Sequence, residues 1–130
     1  MGTFNIVHTD QIMTGAVGEK ITEVTPGASI TYNYSLSGVF LHNAAASQNW
    51  TANITNVPEF PNRTYTVAII CSSNATAAYS PTAYTVNGLP LTPLGSIPTS
   101  DAASKIKIIV LTLVRNSTNV LSGYLNAAVY

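Results

Sequence analysis

KIKIIVLTLVR, residues 105–115, decides how this chain folds. Taken two residues at a time, it sets Ile106, Ile108, Val110 and Val114 on one side. Lys105, Lys107, Ile109, Leu111, Leu113 and Arg115 fall on the other. Successive side chains leave a β-strand on opposite faces, so this alternation predicts a strand. One side is core, and the other is polar only at its ends, as in a central strand or an interface strand. Ile106, Ile108 and Val110, free of charge, are assigned to the core. The RNSTN segment (115–119) is a turn. VLSGYLNAAVY (120–130) then alternates Leu121, Leu125, Ala127 and Val129 with Ser122, Tyr124 and Asn126, which predicts a C-terminal β-hairpin.

The same period runs backward through the chain. TYTVAIICSS (64–73) puts Tyr65, Val67, Ile69 and Cys71 on one face, and ASITYNYSLS (28–37) sets Ile30, Tyr32, Tyr34 and Leu36 against Ser29, Thr31, Asn33 and Ser35. In NWTANITNVP (49–58), Trp50, Ala52 and Ile54 share a face, with Trp50 as core anchor. Pro58 and Pro61 end that strand and set up the turn PEFPNR. AYTVNGLPL (83–91) contains Asn87-Gly88, the strongest short hairpin signal. FNIVHT (4–9) and KITEV (20–24) are weaker strands. The alanines at 44–46 and 75–78 lie in runs too short for a helix. These readings predict an all-β, single-domain antiparallel β-sandwich, jelly-roll-like or a flattened barrel, of seven or eight strands over residues 26–130. Its core is expected to hold Trp50, Ile54, Val67, Ile69, Ile106, Ile108 and Val110. Residues 1–25 form either an arm laid on a neighbour or an edge strand.

Charged residues are 8% of the 130, about a third of the usual share. Five basic and five acidic side chains cancel, which leaves no electrostatic footprint for nucleic acid. A neutral hydroxyl- and amide-rich surface also lacks the self-repulsion that keeps free proteins apart, which favours a fixed place in an assembly. MGTFNIVHTDQIMTG has no basic stretch followed by an apolar one, so a cytoplasmic origin without a signal peptide is expected. Ile106–Val114 is half the length that spans a membrane.

The chemistry-bearing residues are scattered. Cys71 is the one cysteine, sits in an apolar run and reads as a small buried hydrophobe; a nucleophilic role would need His8 or His42 beside it. His8, Asp10, Glu19, Glu23, His42, Glu59 and Asp101 form no metal-ligand spacing and no convergent carboxylate pair. The expectation is a non-enzymatic protein with no metal and no cofactor. The N-x-S/T pattern at Asn33, Asn49, Asn53, Asn62, Asn74 and Asn116 is what a chain rich in Asn, Ser and Thr gives by chance, and glycosylation needs a secretory route. Among the tyrosines, Tyr79, Tyr84 and Tyr124 have polar neighbours and are the candidate interface residues.

Residues 49–94 carry a Trp50 strand ending Asn56-Val57-Pro58, Arg63 before Thr64–Val67, a small-residue turn, and Val86-Asn87-Gly88. This segment resembles one found in bacteriophage virion proteins, especially of viruses of cyanobacteria and other aquatic bacteria, in tail-fibre-like and other structural polypeptides. SKIKIIVLTLVRN (104–116) continues the likeness, while the first 48 residues share little of it. The resemblance implies a β-rich virion component and transfers no active-site residue. The short chain suits a capsid decoration or cement protein, a homo-oligomer bound to the major capsid protein or other virion proteins. A tail-fibre or baseplate component that binds a host glycan is the alternative.

Overall fold

The computed structural model describes residues 18–130. FNIVHT and residues 1–17 of the expected arm lie outside the described residues. Nine strands form, and no helix among the described residues: β1 (Ile21–Val24), β2 (Ser29–Asn33), β3 (Val39–His42), β4 (Trp50–Thr55), β5 (Arg63–Ser72), β6 (Pro81–Val86), β7 (Leu89–Leu91), β8 (Ile106–Arg115) and β9 (Leu121–Val129). They make a five-stranded sheet in the order β1-β3-β5-β8-β9 and a four-stranded sheet in the order β2-β4-β6-β7.

Both expected hairpins are present. Asn87 and Gly88 both have positive φ, 49° and 82°, which the tight turn joining β6 to β7 requires of its two central residues. In the β8–β9 turn, Asn116 Oδ1 accepts the backbone N–H of Thr118 at 3.0 Å and of Val120 at 2.9 Å. Asn119 adopts the left-handed conformation that asparagine tolerates better than most residues.

Four of the other five pairings correct the antiparallel expectation, while β5 with β8 keeps it. Successive strands from β1 to β6 alternate between the two sheets, so sheet neighbours among them are two apart in sequence and run parallel: β1 with β3, β3 with β5, β2 with β4, β4 with β6. Period-two patterning describes one strand and is blind to its neighbour's direction; only the two turn signals report direction. The sheets are therefore mixed and open, not a closed barrel, and hold nine strands.

The sheets pack face to face through their aromatic residues. Tyr32 on β2 meets Phe40 on β3 edge to face at 5.3 Å, and His42 on β3 meets Trp50 on β4 at 5.1 Å. Trp50, Ile54, Val67 and Ile69 are buried, together with Tyr32, Phe40, Ile109, Leu111 and Leu113. β8 is turned over relative to the sequence reading. Its inward side is Lys107, Ile109, Leu111, Leu113 and Arg115, whereas Ile106 is half exposed and Ile108 and Val110 are only half-buried on the outside. Apolarity could not choose between two apolar sides. Partners for the two inward charges settle the choice. Lys107 meets Asp101 and Ser73, and Arg115 donates to the carbonyl oxygens of Pro58 and Asn119.

Two truncations test this orientation by urea denaturation. Ile109→Ala should cost about 2–5 kcal/mol, as for a buried aliphatic truncation. Ile106→Thr should cost under about 1 kcal/mol, as at a half-exposed strand position. Equal costs would contradict the orientation.

Candidate interaction face

A buried polar strip lies between the sheets at the Lys107 end of β8, and Arg115 is buried at the other end. Lys107 is fully buried, and its ammonium lies 3.0 Å from both carboxylate oxygens of Asp101 and 3.1 Å from Ser73 Oγ. Ser80 Oγ donates to Asp101 at 3.2 Å, and the Tyr79 backbone N–H donates to Ser73 Oγ at 2.9 Å. The pair thus ties the 92–104 loop and the β5–β6 connection to the end of β8. Removing one partner of such a pair leaves the other charged in a dry site.

Beside this strip, Tyr32 Oη and His42 Nε2 share a 2.8 Å hydrogen bond, while His42 Nδ1 is buried with no partner. Burial first, and then the Lys107 charge, hold the imidazole down at about 4, so it is neutral at pH 7. Burial pushes Tyr32 above its ordinary range and the Cys71 thiol up to about 11, which keeps both protonated at neutral pH. Among the described residues no group of three His, Cys, Asp or Glu side chains converges in a way that would hold a metal ion.

The outsides of the two sheets differ in kind. On the four-stranded sheet the outward side chains hydrogen-bond across strands: Asn53 Nδ2 donates to Ser29 Oγ at 2.7 Å, and Thr85 Oγ1 donates to Asn53 Oδ1 at 2.7 Å. This is a surface made for water. The five-stranded sheet instead presents two apolar rows. Ile21, Val39, Ala68 and Val110 stand in register across four strands. Leu41, Ile70, Ile108 and Ala128 do the same one step along. Ile106 and Tyr130 extend the patch, at 50% and 67% exposure. Among the outward positions of these strands Glu23, at one edge, is the sole charge. Monomers rarely leave so continuous an apolar surface in water.

The three candidate tyrosines are not brought together. Tyr124 stands on the apolar face at 47% exposure. Tyr84 points between the sheets into a groove of about 460 Å³ lined also by Pro81, Pro90, Pro93 and Ile97, and burial pushes its hydroxyl up to about 12. No charged side chain lines that groove. At its floor Gly95, with φ 107°, lies against the Leu125 backbone so closely that any side chain would collide with it. Tyr79 is half-buried beside Ser73. Of the residues that form the apolar face, Ile106, Ile108 and Val110 were assigned to the core and the others, Tyr124 apart, were given no surface role; the usable signal was that both sides of 105–115 are apolar.

The N-x-S/T pattern has a local structural use. Asn33, Asn74 and Asn116 each accept the backbone N–H of the residue two positions on, Ser35, Thr76 and Thr118. Such Asx turns place a small hydroxyl residue after the asparagine for reasons of backbone geometry.

No family model, curated protein sequence or solved structure matches this chain.

Two outcomes follow from the buried strip. Asp101→Asn strands the Lys107 ammonium and should lower unfolding stability by about 3–5 kcal/mol, while adding Lys107→Met should recover much of the loss. The pH dependence has a definite window. Unfolded His42 takes up its proton near 6.5 and folded His42 near 4, so between these values the unfolded chain binds more protons. The contribution of His42 is complete above 6.5, falls as pH drops through the window and is spent below 4. Urea midpoints of His42→Leu should lack that portion of the acid slope.

Proposed function

We propose that this chain is a non-enzymatic structural component of a virion, most simply a capsid decoration protein that attaches to the shell and stabilises it. The reading is carried by the apolar outer face of the five-stranded sheet, charged only at Glu23 on its β1 edge, a surface suited to burial against other subunits. Three further features support it. The opposite outer face is a hydrogen-bonded ladder of Ser, Asn and Thr that can remain in water. Net charge is zero, which favours close association. The resemblance of residues 49–130 to phage structural polypeptides suggests the setting. Many copies, each contributing a modest contact, would brace a shell through multivalency. The bound copies would be made in the host cytoplasm and act on the particle, with the major capsid protein or another virion protein as partner.

The Tyr84 groove favours a second reading, a tail component that holds a neutral host glycan between the prolines and the tyrosine ring. Purified virions settle the choice. Antibody-gold labelling should decorate the icosahedral shell, and particles lacking the protein should release DNA at a lower temperature. Gold confined to the tail, with glycan-array binding abolished by Tyr84→Ala, would establish the second reading instead.

A further inference from the structure

The apolar face does not itself say what covers it, but its geometry favours one occupant. We propose that a second copy of this chain covers it, with two five-stranded sheets stacked face to face about a twofold axis. Tyr124 of each copy then seats in a hollow beside Ala128 of the other.

Self-complementarity is the first argument. A twofold interface sets one surface patch against itself, so the patch must carry both the projection and the recess it fills. Both are present. Tyr124 projects from β9 at 47% exposure, and a hollow of about 140 Å³ lies farther along the same strand, between Ile108, Val110, Asn126, Ala128 and Tyr130. The hollow exists because Asn126 and Ala128 are short where β8 contributes branched side chains.

Charge is the second. Doubling a charged patch on itself buries like charges against each other, and here the one charge among the outward positions, Glu23, stands at the β1 edge away from Tyr124 and the hollow. A chain of zero net charge adds no long-range repulsion between copies.

Size is the third. Four inter-strand spacings of about 4.8 Å and a ten-residue β8 rising about 3.3 Å per residue give a footprint of up to roughly 600 Å². That approaches the ~800 Å² of accessible surface that each partner buries in a standard interface, before side-chain relief is counted. The face is built of aliphatic and β-branched side chains like those inside the molecule, and such faces pack about 10 Å apart when sheets stack. A dimer so formed turns two polar Ser-Asn-Thr faces outward and presents every loop twice.

This inference rests on the assembly reading above, and its test separates the two. Sedimentation equilibrium of the full chain at micromolar concentration should give twice the 13.7 kDa monomer mass. Val110→Lys sets like charges across the axis and should halve that mass with an unchanged circular dichroism spectrum. Val110→Glu alone should also be monomeric, and mixing the two variants should restore the dimer, a rescue that only self-association explains. A monomeric parent chain, or a dimer indifferent to Val110→Lys, would overturn the proposal. Shell pelleting is measured in parallel. A monomeric parent that pellets with shells, and loses this on Val110→Lys, assigns the face to a shell subunit and sinks only the second-copy claim. A dimer with charge-swap rescue that never pellets sinks the virion reading and leaves the interface standing.

Discussion

β8 needs apolar cover on both of its sides, and that requirement organises the molecule. Its ten residues lie second from the edge of the larger sheet, paired along their length with β5 and β9. One side joins the interior that the opposing sheet closes with Tyr32 and Trp50. The other continues outward into two aliphatic rows with no second layer above them among the described residues. A strand of this composition at a water-exposed surface would be a liability, so its position in the fold already states a need for a partner.

The inward side is chosen by charge rather than by apolarity. Lys107 and Arg115 bracket the buried stretch of β8, and each finds its partners in a loop at its own end of the sheets. Asp101 and Ser73 take the ammonium, while the Pro58 and Asn119 carbonyl oxygens take the guanidinium. Turning the strand over would put both cations in water at little cost, but would leave Asp101 beneath its loop without its ammonium. The ion pair therefore contributes more to the register and facing of β8 than to net stability, since desolvation offsets much of the attraction in such a pair.

Most strand positions and both hairpins were legible because they are local, but β3 was missed, since its four residues are too few to show an alternation. Alternation in residues 64–73 and 105–115, the Asn87-Gly88 turn and the RNSTN turn each leave a signature within a few residues. Strand direction was not legible, because the winding of β1 through β6 between two sheets is set by pairings 18 or more positions apart, as in Ile21 with Val39. The facing of β8 was not legible either, since its decisive partner, Asp101, lies in a loop outside the alternating stretch. Tyr124 could be named from its neighbours as a surface candidate, and it is half exposed. The face around it could not, because Ile108 and Val110 look the same whether they point inward or outward.

The most direct measurement is carbene photo-footprinting of side chains, on the parent chain and on the Val110→Lys variant at equal micromolar concentration. The account predicts strong labelling of Ile106, Ile108 and Tyr124 in the variant and protection of the same residues in the parent. Thr51, Asn53 and Thr85 on the opposite sheet should label equally in both. Equal labelling of Ile106, Ile108 and Tyr124 in the two proteins, and again on the assembled particle, would show that the face works uncovered and would contradict the account.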